Sequence, residues 1–423
     1  MSAAPSMSPL PDDDASGQAP PSPVVARRRF RVSARHAGIE ALLPYPVTLG
    51  AFVLIFWCVD ITSPALPDLQ ASLSLSRTST GLIASAFFIG RLIINIPAAL
   101  LVDRIGARHT AMGGAVALIG GSALAASAPG IDVLLAARCL QGIGIALVVT
   151  AALLSLLRAK PGEGSAMTAF NVAAGVGSGF GLLSGGILTG QFGWRAIFWL
   201  SALLGAALLG GAIASRPARA QPGDPGGARP ATAGSAPLGK RRMIAPLLTN
   251  LLVYANYSIF IVALPLYAAE RFAMPAGAIG TLLLMTNFAH LGAAIPLGRG
   301  IRRFGASRTI GPSLAVTALG IVSVLLVTTS EWLLLPLLIY AVGQIGGNSS
   351  AGDIVLRAGG QGGRAVGMLR LSSDVGLVTG PAAVGLLADL AGGAAPFVAL
   401  AVVTALAAAL IWRNQAASRS LVR

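Results

Sequence analysis

The chain has 423 residues, of which 55% are apolar and only 11% are charged, and its mean hydropathy is +0.77. Soluble domains carry about 25% charged residues, so this composition excludes an ordinary soluble enzyme. The formal net charge of +15 would suggest nucleic-acid binding in a soluble protein. Here the basic residues stand in short loops between long apolar stretches, which is the distribution of a membrane protein.

Residues 1–42 are rich in Pro, Ser and Ala and contain an arginine cluster, so we expect a disordered tail. Twelve apolar stretches follow, each near the roughly 20 residues that a helix needs to cross a bilayer. Backbone polar groups cannot stay unpaired in lipid, which predicts helices. The predicted helices are numbered here as spans 1 to 12: 43–66, 78–101, 108–128, 131–157, 165–190, 195–215, 244–268, 276–298, 308–328, 332–354, 363–388 and 394–413.

The basic residues are distributed unequally between the two sides of these spans. If the amino terminus lies inside, the inner segments hold 24 Lys and Arg residues and the outer segments hold three. This asymmetry predicts a multi-pass protein of a cell membrane with both termini in the cytoplasm. The Arg- and Ala-rich composition favours a bacterial inner or plasma membrane.

A Pro/Gly/Ala-rich, basic segment at 216–243 predicts a flexible cytoplasmic linker between two six-helix halves, 43–215 and 244–413, with a short tail at 414–423. The halves share residues at a constant offset of 199 positions, which indicates a duplicated unit. The sequence therefore predicts an all-α integral membrane fold in two pseudo-symmetric halves. The matching pairs are Pro97 and Pro296, Arg104 and Arg303, Gly106 and Gly305, Gly177 and Gly376, and Gly181 and Gly380.

Three sequence patterns stand out within and beside these spans. The loop after span 2 contains an acid, two bases and a turn glycine, span 4 contains an Arg-x-x-Gln-Gly pattern, and spans 5 and 11 contain spaced glycines. Glycines alone would be explained by close helix packing, and an arginine near a helix end could reach the membrane surface. The residues are Asp103, Arg104, Gly106 and Arg108 in the loop; Arg138, Gln141, Gly142 and Gly144 in span 4; Gly177, Gly181 and Gly185 in span 5; and Gly376, Gly380 and Pro381 in span 11.

These patterns resemble those of twelve-helix transporters of the major facilitator superfamily. The resemblance implies that the loop after span 2 latches the cytoplasmic side of the two halves. It also implies a link between Arg138 and proton coupling, as in the family's antiporters. The antiporter motif of span 5 is incomplete, because Leu182 replaces its proline.

Ionisable residues inside a membrane are costly and point to function. Asp60 in span 1, Arg91 in span 2 and Arg138 in span 4 predict a proton-coupling group. Burial favours the neutral form of a carboxyl group and a nearby arginine favours its charged form. Our hypothesis is that Asp60 gains and loses a proton and thereby releases and recaptures Arg91 or Arg138. Arg370 and Asp374 in span 11 have i, i+4 spacing, which fits either an intrahelical pair or a role in coupling or substrate binding.

Uncharged polar residues in the second half are candidates for a substrate cavity, although such residues also join helices for structural reasons. His290 is expected to be a packing residue. The candidates are Asn256, Tyr257, Asn287, Gln344 and Asn348.

The sequence has no P-loop for ATP, no metal-ligand spacing and no nucleophile motif, so we expect neither a cofactor nor enzymatic activity. The function favoured is a secondary active transporter that exports a small organic compound or drug by proton antiport with alternating access. A proton-coupled uptake symporter for a nutrient is the alternative. The expected partners are a small-molecule substrate, protons and the lipid bilayer, with no nucleic acid, and the monomer is expected to be functional.

Overall fold

The computed structural model describes residues 44–159, 164–214, 240–359 and 363–420, and these residues are helical with no strand among them. The predicted tail 1–42 and most of the predicted linker 216–243 lie outside the described residues. The N-terminal half contains spans 1 to 6. Its elements are Pro44–Asp60, the 3-10 turn Ser63–Ala65 and Leu66–Ser72 in span 1; Arg77–Ala126 in spans 2 and 3; Ile131–Ala159 in span 4; Gly164–Phe192 in span 5; and Arg195–Ala214 in span 6.

The C-terminal half contains spans 7 to 12. Two of its helices are longer than the hydropathy pattern predicts. The first begins within the predicted linker and the last continues into the predicted tail, because Lys, Arg, Gln and Ala are strong helix formers. The elements are Lys240–Ser258, the π-helical segment Ile259–Ala263 and Leu264–Phe272 in span 7; Ala276–Phe304 in span 8; Ala306–Ser323 and the 3-10 turn Val324–Leu326 in span 9; the 3-10 turn Ser330–Leu333 and Leu334–Gly359 in span 10; Gly363–Ala391 in span 11; and Ala395–Ser420 in span 12.

Within the described residues, 11 segments are long and apolar enough to cross a membrane. They correspond to every predicted span except span 10. The helix of span 10 has 26 residues, which is long enough to cross. Its polar residues Gln344, Asn348, Ser349 and Ser350 lower its hydropathy.

Spans 1 and 7, the first of each half, are broken helices rather than the continuous ones predicted. Span 1 breaks after Asp60 and resumes through a 3-10 turn that contains Pro64. Span 7 changes to a π-helix immediately before Pro265. Proline lacks an N–H and clashes with the carbonyl of residue i−4, which here is Ile261. Breaks at corresponding positions of two repeats are typical of transporter binding sites.

The two halves repeat their backbone geometry as well as their sequence. Gly106 and Gly305 both turn the chain with positive φ angles of 84° and 86°, and Gly193 and Gly392 do so with 78° and 87°. Both pairs are separated by the same 199 positions. The shared left-handed turns show that the second half repeats the fold of the first.

Glycines let the helices of each half approach at backbone distance. On span 5, a Cβ at Gly177, Gly181 or Gly185 would overlap a backbone carbonyl of span 1. On span 4, a Cβ at Gly142 would overlap the Phe87 carbonyl of span 2, and one at Gly144 would meet span 3. Gly376 and Gly380 on span 11 face span 7 in the same way, and span 11 also carries Pro381. Span 1 is thus fixed against span 5, and span 7 against span 11.

Candidate functional site

Asp60 lies at the break in span 1 and is bonded to both halves. Its side chain is buried, and the residue is 5% exposed. Its Oδ2 accepts a hydrogen bond from the Ser178 hydroxyl of span 5 at 2.5 Å. Its Oδ1 accepts one from the Tyr257 hydroxyl of span 7 at 3.3 Å. Asp60 therefore connects the N-terminal half to the C-terminal half.

A second bond crosses the halves beside Asp60. The Ser63 hydroxyl donates to the carbonyl oxygen of Ile261 at 2.8 Å. Ile261 is the residue whose carbonyl is displaced from regular helical bonding by Pro265. The break in span 1 thus supplies a donor to a carbonyl at the break in span 7.

Arg138 is buried within the N-terminal half and is 3% exposed. It donates through Nη1 to the Gln141 side-chain oxygen at 2.8 Å, and its guanidinium lies 4.6 Å from the centre of the Phe87 ring. This is not the geometry of an arginine that extends to the membrane surface. Arg138 and Asp60 are not joined by an ion pair, but both line the same small cavity of about 20 Å³.

Arg91 pairs with Asp374 across the halves. The Arg91 Nη2 atom lies 2.5 Å from Asp374 Oδ1, and Nε donates to the same oxygen at 3.1 Å. The Asn95 amide of span 2 donates to Asp374 Oδ2. The Asp374 side chain is 3% exposed and that of Arg91 is 27% exposed. The sequence hypothesis offered Arg91 as a partner of Asp60, but in the structure Arg91 is held by Asp374.

Arg370 is exposed and makes no hydrogen bond or ion pair with a described residue. Its electrostatic neighbours are Arg91, Asp374 and Tyr254. The intrahelical pair of Arg370 with Asp374 that the spacing allowed is replaced by the cross-half pair of Asp374 with Arg91.

The described helices alternate in direction, which gives the bundle a basic end, with the loops 103–109 and 299–308, and an opposite end, with Arg77, Arg195 and Arg271. At the opposite end, Arg77 Nη2 lies 2.6 Å from Glu270 Oε1 of span 7. The Asp389 carboxylate of span 11 accepts the backbone N–H groups of Arg77 at 3.0 Å and Thr78 at 2.8 Å. Asp389 therefore caps the first turn of span 2 from the other half, and these contacts join the two halves at the opposite end.

The loop after span 2 contacts span 6 of its own half. Arg108 donates to the last carbonyls of span 6, those of Ala212 at 3.2 Å and Ile213 at 2.7 Å. These bonds cap a helix C-terminus within the N-terminal half. Asp103 and Arg104 are exposed beside the Gly106 turn.

Two of the five cavity candidates are buried in helix packing. Asn256 is 0% exposed and exchanges hydrogen bonds with Thr404 of span 12. The Gln344 amide donates to the carbonyl oxygen of Val253 on span 7 at 2.6 Å. Both residues join helices of the C-terminal half in this structure instead of lining a space between the halves. Their polarity is the same as that of a cavity residue, so sequence alone could not separate the two roles.

The other candidates lie nearer the boundary between the halves. Tyr257 bonds Asp60, and the Asn287 amide donates to the Gly175 carbonyl oxygen of span 5 at 2.8 Å. Asn348 is half-buried. His290 packs edge-on against Phe260 and Tyr340, as expected for a packing residue.

Several residues of the cross-half network, among them Asn95, Ser178, Glu270 and Asp389, had not been singled out from sequence. Asn95 lies four positions after Arg91, the helical spacing of a shared face, and Ser178 follows a predicted packing glycine. Glu270 and Asp389 lie at helix ends, where isolated acids are common and give no signal.

A family model described as Major Facilitator Superfamily matches residues 48–251 and 246–421 of the chain. The first match covers most of the N-terminal half and runs into the start of span 7, and the second covers most of the C-terminal half. The predicted fold of two pseudo-symmetric six-helix halves is confirmed by this match and by the helical architecture.

Curated relatives are similar over part of their length. Multidrug resistance protein Stp of Mycobacterium tuberculosis (strain CDC 1551 / Oshkosh) is 32% identical over 161 residues, 37% of this chain and 30% of that protein. Puromycin resistance protein pur8 of Streptomyces alboniger is 32% identical over 162 residues, 37% of this chain and 32% of that protein. Inner membrane transport protein YajR of Escherichia coli (strain K12) is 31% identical over 129 residues, 30% of this chain and 28% of that protein. The similarity thus spans about a third of each relative.

Solved structures share the fold over most of the chain. A bacterial homolog of the human lysosomal transporter Spinster, in an inward-facing and unoccupied conformation, superposes with a TM-score of 0.74 at 16% identity, over 88% of this chain and 96% of that one. A structure from a study of proton dependent oligopeptide transporters gives a TM-score of 0.70 at 16% identity, over 90% of this chain and 100% of that one. At these identities the likeness concerns the fold alone.

Proposed function

The chain belongs to the Major Facilitator Superfamily, and on that premise we propose that it is a secondary active transporter that exports a small organic compound in exchange for protons. The observation that carries the proposal is the position of Asp60. It is a buried carboxylate whose bonds join the two halves that must separate during transport. A group placed there links its own protonation to the arrangement of the halves.

The bonds of Asp60 give the link a physical form. A charged carboxylate makes shorter and stronger hydrogen bonds than a neutral one. Protonation of Asp60 weakens its hydrogen bond with Tyr257, which is one of the contacts between spans 1 and 7. The cavity beside Asp60 is large enough for a water molecule and also touches Arg138. Water in this cavity is our proposed route for the proton.

The other cross-half contacts are proposed to change in the same cycle. The two halves rock about a site at mid-depth, so that it opens alternately to each face. In this proposal the contacts of Arg77, Glu270 and Asp389 hold the opposite end closed. The charge asymmetry supports a cytoplasmic basic end and cytoplasmic termini. One chain holds both sides of the site, which supports a functional monomer.

Export is favoured over uptake by two kinds of support. The Arg138 motif resembles that of the family's antiporters. Two similar proteins, from Mycobacterium tuberculosis and Streptomyces alboniger, are named for drug resistance. We therefore propose a drug or a related small metabolite as the cargo.

The test is transport by the purified protein in proteoliposomes under an imposed pH gradient, with a panel of compounds that includes puromycin. Antiport predicts accumulation of a compound in the acidic compartment, and a protonophore should abolish it. Accumulation in the alkaline compartment would instead establish the uptake symporter. Protein-free liposomes control for passive distribution of weak acids and bases.

A further inference from the structure

The middle of the bundle contains more arginines than acids. Arg91, Arg138 and Arg370 lie within the described spans at the level of Asp60 and Asp374 or one turn away. An arginine at this depth requires a counter-charge, hydrogen-bond acceptors or water. We therefore identify the bonding partners of each charged residue in this region.

The two acids are already occupied. Asp374 is bonded by Arg91 on one oxygen and by Asn95 on the other. Asp60 accepts bonds from two hydroxyl groups. Because Arg91 neutralises Asp374, the pair offers no net charge to a third group.

Arg138 is also satisfied. Its guanidinium bonds the Gln141 oxygen and lies against the Phe87 ring, and Nε donates to the Ile83 carbonyl oxygen at 3.4 Å. Among the described residues at this depth, Arg370 is the arginine left without an acceptor.

The position of Arg370 on span 11 indicates which side of the helix carries its charge. It lies one helical turn from Asp374, on the same face of span 11. That face is turned toward the N-terminal half, because Asp374 meets Arg91 there. Arg370 is exposed, and Tyr254 of span 7 is nearby. Arg370 therefore lies on the side of span 11 that meets the N-terminal half, on the basic-end side of the Arg91–Asp374 bond.

We propose that the transported compound is an organic anion and that its acid group binds Arg370. The planar guanidinium matches a carboxylate, sulfonate or phosphate with two parallel hydrogen bonds. An organic cation at the same place would meet an uncompensated like charge, since Asp374 is neutralised by Arg91. This inference rests on the proposed transport function and names its substrate class.

The test measures binding with sets of three compounds that share one aromatic or alkyl body and carry a carboxylate, an amide or an amine. Shifts of the thermal unfolding midpoint of the purified full-length protein in detergent, titrated with each compound, give Kd. The carboxylates should bind about tenfold to a hundredfold more tightly than the matching amides, the usual contribution of a charge-assisted hydrogen bond. Arg370→Gln should remove this preference, and Arg370→Lys should keep part of it.

The control is Arg271→Gln, which removes the same charge from an exposed position at the opposite end of the same half. It should bind the carboxylates as the unaltered protein does. Preferential binding of the amines, an undiminished preference in Arg370→Gln, or no carboxylate binding by any set would each overturn the proposal. Proton-driven export of a cation would refute the substrate class and leave the transport function standing. Carboxylate binding without any proton-coupled transport would support the substrate class and refute the proposed transport function.

Discussion

Asp60 and Asp374 both lie between the halves, but their bonding partners differ. Asp60 accepts hydrogen bonds from hydroxyl groups, whereas Asp374 is held by a guanidinium and an amide. Hydroxyl groups can reorient and bond a neutral carboxyl group, while an arginine loses its ion pair when the acid is protonated. We therefore propose that Asp60 exchanges the proton and that Asp374 pairs the two halves.

Asp60→Asn tests the first assignment. Asparagine keeps an oxygen that can accept from Ser178 but cannot take up a proton. We expect the variant to fold and to catalyse substrate exchange between equal compartments, while gradient-driven accumulation falls by at least about tenfold. The measurement is the ratio of exchange to driven transport in proteoliposomes.

Asp68→Asn is the matched control, because Asp68 is an exposed aspartate further along the same span. It should retain both activities. Full proton-driven transport by Asp60→Asn would exclude Asp60 as the proton carrier.

The pair of Arg91 and Asp374 predicts a strong coupling in stability. Arg91→Gln leaves the Asp374 carboxylate buried without its cation, which should lower the free energy of unfolding by about 3 kcal/mol. The double variant Arg91→Gln with Asp374→Asn should recover most of that loss. Chemical or thermal unfolding of the unaltered protein, the single variants Arg91→Gln and Asp374→Asn, and the double variant gives the coupling energy. Additive effects of the two substitutions would contradict the pairing.

The sequence predicted which residues in this region carry charge but not which of them meet. Asp60 was expected to pair with Arg91 or Arg138, yet the partner of Arg91 lies on span 11 in the other half. Such a contact depends on how distant helices pack, and no local spacing encodes that. The i, i+4 pattern of Arg370 and Asp374 was a local alternative that the cross-half contact displaced.

At the scale of single helices, glycine faces set the distance between spans. A Cβ at Gly142 would overlap the Phe87 carbonyl, and backbone atoms cannot rotate away as a side chain can. A Cβ added at Gly211 on span 6 would have no neighbouring atom within 4 Å. The two positions form a matched pair on neighbouring parts of the same half.

Gly142→Ala should destabilise the protein by about 3 kcal/mol or prevent its folding, because overpacking forces the helices apart. Gly211→Ala should leave stability unchanged or raise it slightly, since alanine favours the helix. Size-exclusion profiles and melting temperatures of the two purified variants make the comparison. Equal stability of both variants would show that spans 2 and 4 do not approach as described.

Asp389 caps the first turn of span 2, so we expect removal of its carboxylate to weaken closure of the opposite end. Asp389→Ala removes acceptors for two backbone N–H groups, and loss of a helix cap typically amounts to about 1 kcal/mol. The closed state should lose population about fivefold relative to the open state.

The readout is the labelling rate of Thr62→Cys, a buried position beside the Asp60 cavity, in a background without Cys58 and Cys139. An impermeant maleimide added at the opposite end should react about fivefold faster in Asp389→Ala. Asp132→Ala, which removes an exposed aspartate from the first turn of span 4, should not change the rate. An unchanged rate in Asp389→Ala would mean that the cap does not hold this end closed.

Helix positions followed from hydropathy, whereas helix continuity did not. Span 4 begins at Ile131 as predicted, but spans 1 and 7 are interrupted near Pro64 and Pro265. Hydropathy measures how much apolar length is present and is insensitive to a single missing hydrogen bond. The prolines were the available signal, because each removes an N–H from the helix.

At the scale of the whole molecule, the duplication explains why the fold could be predicted so fully. The offset of 199 positions relates turn glycines, packing glycines and the two family matches. The charges do not follow this symmetry, since the position equivalent to Arg91 is His290 and that of Asp374 is Gly175. The shared framework could therefore be inferred from repetition, while the functional charges had to be located individually.

The orientation of the molecule is a separate prediction from the charge asymmetry. Ser307 lies exposed at the basic end and Thr328 exposed at the opposite end of the same span. In right-side-out membrane vesicles, an impermeant maleimide should label Thr328→Cys and spare Ser307→Cys, in the background without native cysteines. Labelling of Ser307→Cys alone would invert the proposed topology.

Proton movement coupled to substrate movement is the most direct test of the proposed antiport. Proteoliposomes loaded with a transported compound and a pH-sensitive dye are diluted into compound-free buffer of the same pH. As the compound leaves, antiport predicts that protons enter and the lumen becomes acidic, with no such change for Asp60→Asn. A lumen that becomes alkaline, or a pH that stays constant while the compound leaves, would contradict proton antiport.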